Sequence, residues 1–237
     1  MTGVQTCALP IWYFAGTDEE RAKELNEFFA NPKVRGIFCA KGGWGSARLL
    51  DKLDFSIIKN NPKVLVGFSD ITTLLNAIHA ITGLITFHGP VGNSSWNAFT
   101  NEYFVSVAMH ANKISFIHPE NKTSDIIVFR PGVCEGELVG GNLTVLTAML
   151  GTGYIPDFKN KILFLEEAHE EPYSIDRMLT QLKMSGVLNS VQGIVFGKCT
   201  ECEAEEPQKS FTVQEVLQQH FSGLSVPVMV EIGRAHV

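Results

Sequence analysis

The stretch that decides the fold is Lys63-Val-Leu-Val-Gly-Phe-Ser-Asp70. Its apolar part, Val64–Gly67, is typical of a short buried strand, and Ile71 to Ile81 has the apolar content of a helix that ends before Gly83. A serine between a buried strand and a helix lies at the carboxyl edge of a parallel sheet, where α/β proteins bind their ligands. We therefore predict an α/β fold with a site around Ser69.

The residues on both sides of this stretch repeat the same alternation. Two more apolar strands are predicted at Val34–Ala40 and Leu84–Phe87, and the glycine loop Lys41-Gly-Gly-Trp-Gly45 follows the first of them. Helices are predicted at Asp18–Ala30 and Ser46–Leu53. Strands that alternate with helices at this interval indicate βαβ units and a parallel N-terminal sheet.

The second half of the chain has its own series of strands and helices, which predicts a second α/β domain with a mixed sheet. We place the N-terminal domain at residues 13–92, a linker region at 93–124 and the C-terminal domain at 125–230. Within the latter, Cys199–Gln208 is predicted to be an acidic surface loop. The predicted strands are Asp125–Phe129, Cys134–Val139, Lys161–Glu166, Val191–Phe196 and Val226–Val230. The predicted helices are Tyr103–Asn112, one opened by Gly140 and running to Met149, Ser174–Lys183 and Val213–His220.

The composition excludes several classes of protein. The 237 residues are 45% hydrophobic and 19% charged, and the formal net charge is -6. This acidic balance argues against nucleic-acid binding, and no apolar run is long enough for a membrane span. Five cysteines without a regular framework fit a reducing compartment, so we expect a cytoplasmic protein.

Residues 1–12 and 231–237 fit no pattern around them, and we predict that both are foreign to the gene. The codons ACT GGA GTT CAG ACG TGT GCT CTT CCG ATC encode Thr2–Ile11, and the complementary strand encodes Ile232–Val237 followed by a stop. This DNA resembles a sequencing adapter. On this hypothesis the chain is a fragment, and His236 is not a catalytic residue.

Ser69 allows two interpretations from sequence alone. Its hydroxyl would lie near unpaired backbone N–H groups at a helix start, which suits a nucleophile whose reaction develops an oxyanion. Ser69 or Asp70 could equally be an ordinary N-cap.

The loop Lys41–Gly45 could bring backbone N–H groups to a ligand, but its glycine spacing matches no phosphate-binding motif. Glu166 and Glu167 lie at the end of another apolar strand. They could be functional acids, or they could be part of an ordinary solvated surface.

Taken together and in order, these segments resemble the LD-carboxypeptidase (muramoyltetrapeptide carboxypeptidase) family of serine peptidases. The resemblance covers nearly all of residues 13–230. The matching segments are Tyr13-Phe-Ala-Gly-Thr-Asp-Glu-Glu-Arg21, Ile37-Phe-Cys-Ala-Lys-Gly-Gly-Trp-Gly45, Arg48-Leu-Leu-Asp51, Gly67-Phe-Ser-Asp-Ile-Thr72, Thr86-Phe-His-Gly-Pro90, Glu137-Leu-Val-Gly-Gly-Asn-Leu143, Leu163-Phe-Leu-Glu166 and Pro172-Tyr-Ser-Ile-Asp-Arg-Met-Leu179.

The resemblance implies a Ser-Glu-His triad divided between two domains. It implies Ser69 as nucleophile and Glu166 as the glutamate, with Glu167 as the alternative. The family's histidine lies in a Gly-His motif shortly after a strand like Val226–Val230, where the segment predicted to be foreign begins, so we expect the fragment to lack its general base. The implied oxyanion hole is the backbone N–H of Asp70 and Gly43, and the implied substrate contacts are Gly42 and Trp44.

The activity implied is release of a C-terminal D-amino acid from the L-D peptide bond of a murein tetrapeptide during cell-wall recycling. No cofactor, metal, nucleic acid or membrane is expected, and the family suggests a homodimer. A microcin-C-type self-immunity peptidase is the alternative within the family. A non-catalytic small-ligand-binding protein, or an inactive fragment, is the alternative outside it.

The remaining histidines and cysteines carry weaker expectations. His88 follows a strand near Ser69 and is expected to be structural or to line the pocket. Cys199-Thr-Glu-Cys202 is a single C-x-x-C, which is weak evidence for zinc. Cys39 and Cys134 are expected to be small buried thiols.

Overall fold

A computed structural model describes residues 14–115 and 126–230. The chain forms two units, one up to Asn93 and one from Ser94 onward. The two terminal segments predicted to be foreign lie outside the described residues. The predicted domain boundaries and linker stay predictions.

The N-terminal unit contains a three-stranded parallel sheet with the order β1-β2-β3. The α/β class and the parallel sheet predicted from sequence are confirmed, although β1 and β3 are shorter than expected. Helix α1 has the predicted bounds, and α2 was not predicted. The strands are β1 (Gly36–Phe38), β2 (Val64–Gly67) and β3 (Phe87–His88), and the helices are α1 (Asp18–Ala30), α2 (Phe55–Asn60) and α3 (Thr72–Thr82).

The helix predicted at Ser46–Leu53 is a 3₁₀ helix, Ser46–Lys52. It begins after Gly45, whose φ of 104° is left-handed, and it buries Ser46 and Leu49. Residues three apart lie on one face of a 3₁₀ helix, so this spacing suits the observed structure. The segment also ends soon, because Asp54 accepts hydrogen bonds from the N–H groups of Ser56 and Ile57 and caps α2.

The C-terminal unit contains a five-stranded mixed sheet with the order β4-β8-β7-β6-β5. Strands β5 to β8 are parallel and β4 is antiparallel to β8, as expected for a mixed sheet. The strands are β4 (Ile127–Arg130), β5 (Leu138–Asn142), β6 (Ile162–Ala168), β7 (Gly193–Thr200) and β8 (Val228–Val230). The helices are α4 (Ala98–Phe104), α5 (Leu143–Ala148), α6 (Pro172–Met184), α7 (Val187–Ser190) and α8 (Val213–Phe221).

Three sequence predictions in this unit were wrong in detail. Strand β7 continues to Thr200, so the predicted loop at Cys199–Gln208 loses its first residues to the sheet, where they pair with the end of β6. Gly140 belongs to β5 and does not open a helix; α5 starts later, because Asn142 accepts a hydrogen bond from Val145 N–H (3.1 Å) as its N-cap. Helix α4 begins before Tyr103 and continues into a π-helical segment, Val105–Met109.

The core of the C-terminal unit forms between its sheet and its helices. Leu163, Leu165 and Phe196 on the central strands are fully buried, and so are Leu179 on α6 and Phe221 on α8. Burying one such side chain contributes about 1.5–3 kcal/mol. This core supports the carboxyl ends of β6 and β7, where the acidic residues lie.

Gly140 provides a test of this sheet. Its φ is 131°, and a Cβ there would overlap the backbone carbonyl oxygen of Phe164 on the neighbouring strand. We expect Gly140→Ala to lower the free energy of unfolding by about 3 kcal/mol or more, because both backbone strain and a clash with main chain oppose it. Urea denaturation measures this. Gly153→Ala is the control, since a Cβ at Gly153 meets nothing within 4 Å, and an equal loss in both variants would contradict the account.

Candidate active site

Ser69 has a left-handed backbone conformation, with φ of 60°. It is the second residue after β2 and begins a short 3₁₀ turn, Ser69–Ile71, that leads into α3. A non-glycine residue in this region costs about 1–3 kcal/mol and persists only where the surrounding structure enforces it. The same strand, sharp turn and helix present the nucleophile of many hydrolases.

The alternative interpretation, in which Ser69 or Asp70 is an N-cap, is wrong. The residues at the N-cap positions of the 3₁₀ turn and of α3 are Phe68 and Ile71, and neither makes a side-chain cap. The Asp70 carboxylate points elsewhere, because its Oδ2 accepts a hydrogen bond from the backbone N–H of Ser46 at 2.8 Å. The serine therefore gains no capping energy that would offset its backbone conformation.

The sharp turn needs glycine at position 67. A Cβ on Gly67 would lie 2.7 Å from Cγ2 of Ile71, so any side chain would separate the strand from the first turn after it. This close approach keeps Ser69 at the end of the strand.

The glycine loop lies directly beside Ser69. A Cβ on Gly42 would be 2.9 Å from the Cβ and 3.1 Å from the Oγ of Ser69, so the loop backbone contacts the serine. Gly43 has φ of 129°, and a Cβ there would meet nothing within 4 Å, so its glycine is required by conformation and not by crowding. The Asp70–Ser46 hydrogen bond holds the end of this loop against the serine turn.

Trp44 extends from the loop into solvent, with 62% of its surface exposed. Its ring stacks on Phe14 with centroids 5.6 Å apart, and the guanidinium groups of Arg21 and Arg48 lie 4.7 and 5.1 Å from the Phe14 centroid. Asp18 pairs with both arginines, at 2.6 and 2.7 Å. Cation–π contacts and ion pairs thus support an exposed aromatic surface at the glycine loop.

His88 lies in β3, beside the strand that leads to Ser69. Its ring packs edge-on against Phe68 with centroids 6.3 Å apart. Burial lowers the pKa of His88 to about 4, so its imidazole is neutral at pH 7. A base with so low a pKa removes a serine proton poorly, which supports the structural interpretation of His88.

In the C-terminal unit, Glu166 lies at a bulge between β6 and β7. The register shifts between Leu165 and Glu167, and Gly197 on β7 leaves room beside the Cβ of Glu166, where a Cβ of its own would be only 3.3 Å away. Bulges of this kind redirect side chains next to active sites. Burial, and then repulsion by Glu167, raises the pKa of Glu166 to about 7, against a hydrogen bond with Asn142 that lowers it.

Glu167 is instead committed to local structure. Its Oε1 accepts hydrogen bonds from Asn142 Nδ2 (2.8 Å) and Ala168 N–H (2.9 Å), and its Oε2 accepts from the N–H and the hydroxyl of Thr144, both at 2.8 Å. The carboxylate therefore joins β6 to the first turn of α5. The sequence leaves Glu166 and Glu167 as alternatives, and Glu167 is the one whose carboxylate is held by these four hydrogen-bond donors.

Two contributions were missed from sequence. The side chain of Asp70 binds the end of the glycine loop, whereas the sequence predicted for it only a possible N-cap. Asn142 binds Glu167 and caps α5, and it was assigned no role. Its place in Glu137-Leu-Val-Gly-Gly-Asn-Leu143, at the end of a strand, is the signal that could have found it. Among residues 14–115 and 126–230, no group of three or more potential metal ligands comes together, and no helix could cross a membrane.

Backbone strain at Ser69 leads to a stability test. We expect Ser69→Gly to raise the free energy of unfolding by about 1 kcal/mol, because glycine adopts φ of 60° without strain. Chemical denaturation measures the change. In the control, Ser56→Gly in the first turn of α2 should lower stability. A loss of stability on Ser69→Gly would contradict the strained-turn interpretation.

The two glutamates should respond oppositely to replacement by glutamine. The folded protein keeps a proton on Glu166 up to about pH 7, while the unfolded chain releases it near the ordinary pKa of 4.5, so stability falls as pH rises through this window. Glu166→Gln should remove about 2 kcal/mol of that fall between about pH 5 and about pH 8.

Glu167→Gln should instead lower stability by about 2–4 kcal/mol throughout this range, because an amide N–H₂ would face hydrogen-bond donors. Urea denaturation at several pH values distinguishes the two residues. Similar curves for both variants would show that Glu166 and Glu167 share one environment, contrary to the structure.

Comparison with known proteins identifies the family of this chain. A family model described as the LD-carboxypeptidase N-terminal domain matches residues 3–89, and one described as the LD-carboxypeptidase C-terminal domain matches residues 135–237. These ranges run through most of both terminal segments predicted to be foreign, so the comparison gives no support for separating them from the family sequence.

Individual relatives belong to the same family. A probable murein peptide carboxypeptidase of Bacillus subtilis is 40% identical over 92% of this chain and 68% of the relative. The microcin C7 self-immunity protein MccF of Escherichia coli is 32% identical over 92% of this chain and 71% of the relative. The crystal structure of muramoyltetrapeptide carboxypeptidase from Oxalobacter formigenes matches with a TM-score of 0.78 and 33% identity, covering 94% of this chain and 76% of that one. The chain belongs to the LD-carboxypeptidase family of peptidases.

Proposed function

We propose that this protein is a serine carboxypeptidase that cleaves an L-D peptide bond and releases a C-terminal D-amino acid, with Ser69 as its nucleophile. The observation that carries the proposal is the left-handed conformation of Ser69 at the end of β2, beside the backbone of Gly42. Strained backbone conformations cluster at active sites, and this serine caps no helix. A reactive hydroxyl would therefore explain why a serine is found in this conformation.

The glycine loop and the helix start supply the electrostatic part of the site. The backbone N–H groups of Asp70 and Gly43 are proposed to bind the oxyanion that develops when Ser69 Oγ attacks the scissile carbonyl. Such donors act strongly because they are fixed before the reaction begins. The Asp70 carboxylate keeps the loop in place through Ser46, so this residue contributes to the site with both its backbone and its side chain.

Glu166 is proposed to orient and stabilise the imidazole that takes the proton from Ser69 and returns it to the leaving amine. A buried carboxylate whose pKa is about 7 is favoured in its charged form by an adjacent imidazolium, which lowers that pKa. The resemblance implies a histidine shortly after a strand like β8, and the expectation that this chain lacks it concerns residues outside the described ones, so no histidine is assigned to this role.

The substrate proposed is a murein tetrapeptide, in keeping with the name of the B. subtilis relative. Gly42 and Trp44 are proposed as substrate contacts, because the first lies against Ser69 and the second presents an exposed ring from the same glycine loop. The homodimer implied by the resemblance and the cytoplasmic location expected from the cysteines stay predictions.

Trp44 also favours a second candidate substrate. An exposed ring stacked on Phe14 could bind a nucleobase, and MccF is known in complex with glutamyl sulfamoyl guanosine. A peptidyl-nucleotide of the microcin C type is therefore the alternative. Trp44→Ala would weaken cleavage of the nucleotide substrate more than cleavage of the tetrapeptide if the ring stacks on a base.

The test is release of D-alanine from murein tetrapeptide, measured by chromatography. The assay uses the 237-residue chain and, in parallel, a chain continued after Val230 with the corresponding segment of the B. subtilis relative. We expect activity in the continued chain and a loss of about a thousandfold or more on Ser69→Ala.

Matched controls separate catalysis from folding. Ser56→Ala changes an exposed serine in the same unit, and Glu135→Gln changes an exposed glutamate as a partner to Glu166→Gln. Both controls should retain the parent rate, whereas Glu166→Gln should lower it at least about a hundredfold. Full activity of Ser69→Ala would overturn the proposal. Cleavage of the nucleotide substrate alone would select the alternative.

A further inference from the structure

Cys199 and Cys202 form a pair of thiols that the proposed peptidase reaction does not use. Cys199 lies in β7 and pairs in register with Glu167 on β6, while Cys202 follows the strand and is 2% exposed. The two thiols are hydrogen-bonded to each other. The sequence showed only a single C-x-x-C, and the structure places the two thiols close enough for each to perturb the pKa of the other.

The backbone between them is shaped to hold this contact. Glu201 has a left-handed φ of 54°, which turns the chain back so that a residue and the third one after it approach each other. The carbonyl of Thr200 accepts hydrogen bonds from His169 N–H (2.9 Å) and from the Cys202 thiol (3.4 Å). The turn that carries Cys202 is therefore held by hydrogen bonds from two sides.

The pair is accessible to a small molecule. Both cysteines line a cavity of about 380 Å³ in the C-terminal unit, together with apolar side chains such as Phe129 and Phe211. A cavity of this size admits molecules as small as water or hydrogen peroxide. Low exposure of Cys202 to the outer surface therefore does not keep peroxide from its sulfur.

We propose that Cys199 and Cys202 are a dithiol that a small hydroperoxide oxidises to an intramolecular disulfide. The Cys202 sulfur attacks one peroxide oxygen, an S–O bond forms, the O–O bond breaks, and the departing hydroxide takes a proton and leaves as water. The Cys199 sulfur then loses its proton and attacks Cys202, the S–S bond forms, and the sulfenic oxygen leaves as a second water. Two thiols and one hydrogen peroxide thus become one disulfide and two waters.

The order of these steps follows from the surroundings of each thiol. The hydrogen bond from Cys199 lowers the pKa of Cys202, which makes Cys202 the better nucleophile. The same hydrogen bond, then burial and the nearby Glu167 and Glu166, raise the pKa of Cys199, so it reacts second. Cys39 is a natural comparison, because burial raises the pKa of this isolated thiol to about 12.

Peptide mapping of the 237-residue chain tests the proposal. The reduced protein is treated with hydrogen peroxide at neutral pH, free thiols are blocked with iodoacetamide, and newly reduced thiols are labelled with N-ethylmaleimide. We expect Cys199 and Cys202 to acquire the second label together, at least about tenfold faster than Cys39 or Cys134. Dithiothreitol should restore both thiols.

Variants check the assignment of the two roles. Cys199→Ser should leave Cys202 as a sulfenic acid that dimedone traps, and Cys134→Ser should form the disulfide as the parent does. The proposal is overturned if Cys199 and Cys202 keep the first label while Cys39 or Cys134 oxidises. It is also overturned if Cys202 joins a different cysteine. Neither outcome depends on peptidase activity, so this test stands apart from the proposed function.

Discussion

The hydrogen bond from the backbone N–H of Ser46 to the Asp70 carboxylate is the contact on which the serine site depends. It joins residues 24 apart in the chain and connects the loop after β1 to the turn after β2. A buried hydrogen bond to a charged group contributes about 1.5–3 kcal/mol, enough to hold a glycine loop that packs little side-chain surface. This bond holds the glycine loop against the serine turn, where Gly42 contacts Ser69.

The two glutamates at the end of β6 in the C-terminal unit have different roles. Glu167 saturates its carboxylate with donors from Asn142, Thr144 and Ala168, and so fixes the end of β6 against α5. Burial, and then the nearby Glu167, raise the pKa of Glu166 and so disfavour its charged form. Glu167 stabilises the fold, and Glu166 has a perturbed pKa. Perturbed pKa values cluster at functional sites.

Much of this arrangement could be predicted from sequence, because it depends on short-range patterns. Apolar runs such as Val64–Gly67 identified strands, and the resemblance pointed to Ser69 and Glu166. The conformation of Ser69 could not be predicted, because a cap and a strained turn use the same residue type. Nor could the separate roles of Glu166 and Glu167, which depend on donors 23 to 25 residues away. The extension of β7 through Cys199 was missed because its pairing with β6 crosses a bulge.

The central claim is that Ser69 is the nucleophile, and covalent labelling with a fluorophosphonate tests it most directly. The chain continued after Val230 with the segment of the B. subtilis relative is treated with the reagent, digested and analysed by peptide mass spectrometry. The account predicts a phosphonate adduct on Ser69, which is lost when murein tetrapeptide competes for the site. An adduct on a different serine, or none in a chain that releases D-alanine, would contradict it.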